Sequence, residues 1–200
     1  MIEKLKSKAF APSKLSLIFN VAFSIYHIAF GVLTESWWLF TLGVYYLLLT
    51  VARFTLLVSR EVGEGRVGFI GVLLIVLVLP LFGTVILSLV RDRGVVMNEI
   101  LMIALALYAF TKITVAAISF VKSYKNAGAK EISLRNVSFA DAFVSIFALQ
   151  RSMLVSFGEM AENDIRIMNA SLGFAVCVAV FFLGFNLVKN KSRLCRKNKI

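Results

Sequence analysis

Six long apolar runs dominate this chain, and they limit its fold more than any other feature. They fall at about 15–33, 37–58, 67–90, 99–121, 136–157 and 165–188. Each approaches the roughly 20 apolar residues that a helix needs to cross a hydrocarbon layer of about 30 Å. The runs are continuous instead of alternating. That favours helices over a β-barrel, because a helix satisfies all its backbone N–H and C=O groups within one segment. The 136–157 run is the least hydrophobic of the six. The expected fold is an all-α membrane protein: a bundle of six transmembrane helices, arranged as three hairpins closed on the outer side. The first run pairs with the second, the third with the fourth and the fifth with the sixth.

Composition removes the alternatives. Of 200 residues, 60% are hydrophobic and 16% charged, and the mean hydropathy is +0.87. Soluble domains carry roughly 45–50% apolar and about 25% charged residues. A soluble domain of this length could not bury so much apolar surface, and the same figures exclude disorder. The net charge of +11 would suggest nucleic acid on a soluble chain. Here the basic residues lie between apolar runs, so no nucleic acid is expected as a partner. Cys177 and Cys195 have neither metal-ligand spacing nor a disulfide framework and read as thiols. The basic start lacks a clear small-residue cleavage site. An uncleaved first helix is expected there instead of a signal peptide.

Loop charge sets the orientation. Lys4, Lys6, Lys8 and Lys14, then Arg60 and Arg66, then Lys122, Lys125, Lys130 and Arg135, then Lys189, Lys191, Arg193, Arg196, Lys197 and Lys199 make sixteen basic residues on one side. The other side has Arg91, Arg93 and Arg166 among Glu35, Asp92, Glu159, Glu162 and Asp164. Basic loops stay in the cytoplasm, so both termini are expected there. The chain divides into a basic N-terminus (1–14), the membrane domain (15–188) and a basic tail (189–200). Trp37 and Trp38 open the second run, as outer-interface anchors would. The expected location is the cell membrane, an inner or plasma membrane.

Ionisable residues inside a membrane are costly and usually face the bundle or a water path. The runs contain His27, Arg53, Glu99, Lys112, Asp141 and Arg151. Asn20, Ser24, His27 and Gly31 share one helix face by their steps of four, three and four. Ser138, Asp141, Ser145, Ala148, Ser152 and Ser156 share another in the fifth run. Such stripes either line a polar path or let helices pack closely. For the second stripe the full charge of Asp141 favours the path. Arg53 and Asp141 each lie about five residues inside the cytoplasmic ends of their runs, at nearly equal depth. They are expected to pair, and Lys112, near the middle of the fourth run, is the other candidate cation. Glu99 reads as interfacial. Pro80 removes the bond to the Val76 carbonyl and predicts a kink.

The stretch NVAFSIYHIAFGVLTESWWLF carries Asn20, Gly31, Ser36 and Leu39, and the fifth run reads DAFVS from Asp141 to Ser145. These motifs resemble the cation diffusion facilitator (cation efflux) family, and six spans with both termini inside fit it. The likeness covers about 60 residues. It implies a transport site with two metal ligands from the second span and two from the fifth, each pair four residues apart. At those positions stand Tyr45 and Leu49, and Val137 and Asp141. Only Asp141 could bind zinc, which takes four N, S or O ligands. The resemblance also implies a cytoplasmic metal-binding domain, and none is expected in the residues that follow the last run.

The expectation is therefore a transporter-like bundle with a lost zinc site, with no metal and no cofactor bound. Its pathway candidates are Asn20, His27, Tyr45, Arg53, Lys112, Ser138, Asp141 and Ser145. A non-transporting subunit, sensor or scaffold is the alternative. An enzyme is not expected. There is one histidine, no Gly-rich phosphate loop, and no pair of carboxylates on one membrane face. Expected partners are membrane lipids, anionic lipid at the tail, and a second copy of the chain in a homodimer. The charge asymmetry predicts that tags at either terminus are reached only from the cytoplasmic side. Labelling of a terminal tag from outside intact cells would refute that topology.

Overall fold

The computed structural model describes residues 2–59, 62–90, 99–122, 128–157 and 161–196. Within them the elements are helices: α1 (Ile2–Leu33), α2 (Trp37–Val58), α3 (Glu64–Val76), α4 (Val78–Val90), α5 (Glu99–Lys122), α6 (Ala129–Phe157) and α7 (Glu162–Arg196). They follow the six apolar runs, with the third divided at Leu77. Trp37–Val58, Glu64–Leu87, Ala129–Ser156 and Glu162–Arg196 are long and apolar enough to cross a membrane. Leu17–Leu33 in α1 and Met102–Ile118 in α5 are shorter apolar helical stretches. Among the charges used for orientation, Arg60, Arg91, Asp92, Arg93, Lys125, Glu159, Lys197 and Lys199 lie outside the described residues. So do the side chains of Lys4, Lys6, Lys8, Lys14 and Lys122.

Local chemistry explains the breaks. Pro80 has no N–H for the Val76 carbonyl, and the helix is interrupted one turn before it, where the Leu77 N–H donates to the Leu73 carbonyl at 2.9 Å. The α1–α2 connection closes with two paired bonds. The Ser36 N–H reaches the Gly31 carbonyl at 2.9 Å and the Glu35 N–H reaches the Val32 carbonyl at 3.4 Å. Glu35 stands at φ 52°. This is the Schellman arrangement, with glutamate in the left-handed position that glycine usually takes. Hydroxyls on the helices also find partners nearby: Thr41, Thr50, Thr55, Thr111 and Thr114 each donate to a carbonyl one turn back.

The bundle encloses polar side chains within a largely apolar core and turns apolar side chains outward. Asn20, Ser24, His27, Arg53, Lys112, Asp141, Ser145, Arg151 and Asn169 are buried, whereas Phe54, Val72, Phe110, Phe174 and Phe182 are exposed. That distribution suits a solvent as apolar as leucine. α1 packs most extensively on α2, and α5 on α6 and more lightly on α1. The third span pairs not with the fourth, as the hairpin expectation had it, but with α7. Glycines explain the choice. A Cβ on Gly71 would stand 2.9 Å from the Gly184 carbonyl oxygen, and one on Gly184 would stand 2.8 Å from that of Gly71. Such backbone contact is open only to glycine.

The interface expectation for the tryptophans divides. Trp37 is 65% exposed, but Trp38 is only 7% exposed and turns inward. The basic tail expected after Val188 continues α7 as helix to Arg196. There Ser192 Oγ donates to Glu64 Oε2 at 2.9 Å.

The crossing of α3 on α7 generates a prediction. Gly184→Ala is expected to lower the unfolding temperature, at a cost of about 1–3 kcal/mol, because neither backbone can move aside independently. Gly83→Ala, whose Cβ would meet nothing within 4 Å, is expected to keep or raise it by about 0.5–1 kcal/mol. Thermal unfolding of both variants in detergent checks this, and equal shifts would contradict it.

Candidate functional site

Four helices bring polar side chains to one buried point. α1 contributes Asn20 from its polar face. α2 contributes Arg53 from the buried series Trp38, Leu42, Tyr45, Leu49, Arg53. α5 contributes Tyr108 and Lys112, one turn apart and on the same side. α6 contributes Ser138, Asp141 and Ser145 from its serine-rich stripe. Asp141 is 0% exposed, Arg53 1% and Lys112 5%.

Asp141 Oδ2 is the common acceptor. Arg53 Nη2 donates to it at 2.8 Å and Lys112 Nζ at 2.5 Å. Asn20 Nδ2 donates to the same oxygen at 3.3 Å. The other end of the Asn20 amide accepts from Lys112 Nζ, and from the Tyr108 hydroxyl at 3.3 Å. Asn20 thus joins cation and carboxylate with its two unlike ends. The Lys112 ammonium also lies 5.0 Å from the centre of the Tyr108 ring, which favours a cation there. The Tyr108 ring stacks on Phe23 at 4.0 Å between centroids, which ties α5 to α1. Arg53 Nη2 also reaches Ser138 Oγ at 3.5 Å. Arg53 Nε and Nη1 have no acceptor among the described residues.

The expected pathway residues divide by position. Asn20, Arg53, Lys112, Ser138 and Asp141 come together. The sequence left Arg53 and Lys112 as rival partners of Asp141, and both bind the same oxygen. Tyr45 is a neighbour and not a ligand of the carboxylate: its hydroxyl donates to the Ala140 carbonyl at 3.0 Å. Ser145 donates to the Asp141 backbone carbonyl at 2.8 Å. His27 is apart from the cluster, two helical turns from Asn20. Its Nδ1 donates to the Phe23 carbonyl at 2.8 Å, and its ring packs against Phe23, Tyr26 and Tyr46.

Sequence reasoning missed Tyr108, although its place four residues before Lys112 puts both on one face. It also missed a second polar layer, where the Arg151 guanidinium lies 5.1 Å from the Trp38 ring centre. Asn169, fully buried on α7, has no partner at either end of its amide among the described residues. An asparagine within a long apolar helix was the available signal.

The positions where the resemblance would place metal ligands are all buried, but Leu49 and Val137 offer no donor atom. Among the described residues, no three of His, Cys, Asp and Glu come together. No protein-family model, curated protein or solved structure matches the chain.

The geometry makes a quantitative expectation. Asp141→Ala leaves two buried cations without their shared carboxylate and should cost about 3–5 kcal/mol. Adding Arg53→Leu should recover part of that loss. Recovery stays partial because Lys112 keeps its charge, and Lys112→Met in the same background should recover more. Unfolding in detergent, analysed as a mutant cycle, checks the coupling, and strict additivity would show that there is none.

Proposed function

We propose that this chain is a transporter-like, multi-pass protein of the cell membrane, with six spans and both termini in the cytoplasm. The Asn20–Arg53–Lys112–Asp141 cluster is its functional centre. One observation carries this reading: a carboxylate buried among four helices takes two cations on one oxygen. Buried charge within a membrane is expensive, and where it stands it marks ion or substrate paths more often than packing.

The orientation draws support from the clustered ends of the helices. Lys130 Nζ donates to the Ser59 carbonyl at 2.7 Å, and Cys195 Sγ lies 3.6 Å from the Val62 carbonyl oxygen. These contacts gather the basic ends of α6 and α7 with the ends of α2 and α3. The resemblance to cation diffusion facilitators remains part of the proposal. It is supported by the meeting of α2 and α6 through Tyr45, Arg53 and Asp141, and it is limited by the apolar Leu49 and Val137. In charge terms, Arg53 and Lys112 stand where a metal cation would.

A non-transporting subunit, sensor or scaffold is the second reading. Its support is the exposed basic end of α7, with Lys189, Lys191, Arg193 and Arg196, which suits an anionic leaflet at about 1 kcal/mol per residue. Flux into proteoliposomes separates the two readings. The first expects ion flux above that of protein-free vesicles, strongly changed by Asp141→Asn. Folded protein with no flux of mono- or divalent cations or of small anions would favour the second.

A further inference from the structure

We infer that the Arg53 side of the central cluster is a binding site for a small anion, such as a halide or a short carboxylate. The inference rests on the cluster being the functional centre and adds the sign of what it binds.

The first argument is charge. Arg53 and Lys112 share the single carboxylate of Asp141, so the three groups carry a net formal charge of +1. All three are closed from solvent. A metal cation approaching Asp141 would meet two fixed cations already on its oxygen. A small anion would meet attraction from both.

The second argument is hydrogen bonding. Arg53 spends one nitrogen, Nη2, on Asp141 and Ser138. Its Nε and Nη1 are buried donors with no acceptor among the described residues. A buried donor left unmet keeps the full penalty of its lost hydration, which an acceptor bound there would relieve. Nη2 belongs to both two-donor edges of the guanidinium, so Nε and Nη1 point apart and each offers a separate charge-assisted hydrogen bond to a compact anion.

The third argument is the wider interior. Arg151 is buried ten residues further along the same helix as Asp141, about 15 Å away by helical rise. The buried charged side chains among the described residues are thus Arg53, Lys112, Arg151 and Asp141. Ser145 and Ala148 are buried between the two levels and Ser152 beside Arg151, which gives the helix small and hydroxylic side chains along the interval between the cations.

Thermal unfolding of the purified full-length protein in detergent tests the site without requiring flux. Chloride and formate are compared with gluconate, which is too bulky for a closed site, at constant ionic strength. Chloride and formate are expected to raise the unfolding temperature in a saturable way. Arg53→Gln is expected to weaken that effect roughly tenfold or more in concentration, the loss of a charge-assisted bond. If Arg53→Gln does not fold, Arg53→Lys, which keeps the charge but loses the separate Nε and Nη1 donors, is expected to weaken it too. Asp141→Asn raises the formal charge of the centre to +2 and is expected to tighten anion binding. A cation site demands the opposite, so loss of the anion effect in Asp141→Asn overturns the proposal. So does an unfolding temperature indifferent to chloride and formate, or an anion effect unchanged in both Arg53 variants. Anion binding that survives in a protein without flux would overturn the transporter reading and leave the anion site standing.

Discussion

Asp141 accepts hydrogen bonds from Arg53, Lys112 and Asn20 on one oxygen, and this shared acceptor sets the arrangement of α1, α2, α5 and α6. In a hydrocarbon surrounding, the hydrophobic effect gives helices little reason to meet, since lipid is as apolar as leucine. Polar side chains supply that reason, because each one left facing lipid would be unsatisfied. Helices bearing Asn20, Arg53, Lys112 and Asp141 therefore converge, and their Phe, Val and Leu faces turn outward. The remaining helices are held differently. α3 meets α7 backbone to backbone at Gly71 and Gly184, and α4 sets the Val85 side chain into the space left by Gly173 of α7. Shape organises this second part, and charge and shape together the first, where a Cβ on Gly43 would stand 2.8 Å from the Ile28 backbone nitrogen.

This division explains what the sequence made legible. Helical periodicity located the face of Asn20, Ser24, His27 and Gly31, and the stripe from Ser138 to Ser156, and all of these residues are buried except Ser156, which is half-buried. Periodicity succeeds there because a polar residue in an apolar run has only one favourable direction. Counting depth from the ends of the runs brought Arg53 level with Asp141. The same count left Lys112 ambiguous, since it measures Cα height, and a lysine stem covers more than a helical turn.

Other features could not be read in advance. The packing of α3 on α7 depends on Gly71 meeting Gly184, and a glycine in an apolar run gives no hint of its partner. Trp37 and Trp38 looked equivalent as interface anchors. Adjacent positions on a helix point about 100° apart, so only one of them could continue the inward series through Leu42, Tyr45 and Leu49. That one is Trp38, and its ring carries Arg151. Tyr108 was hidden because aromatic residues in a span face lipid as readily as they face the core. The lysine one turn later was the clue to its direction.

The same electrostatics bears on the resemblance to cation efflux proteins. A four-ligand cation site gathers negative or neutral donors around a void of the right size. Here the positions that would complete such a set are Tyr45, which bonds a backbone carbonyl, and the apolar Leu49 and Val137. The one carboxylate at these positions, Asp141, is answered by two side-chain cations that cannot leave. One cation would suffice to neutralise Asp141, and the second reverses the sign of the centre. A bundle that needed only a stable clasp would gain more from a single pair, since each added buried charge brings its own desolvation penalty. Lys112 beside Arg53, with two donors of that arginine unmet among the described residues, leaves an excess positive charge that the four helices do not themselves balance.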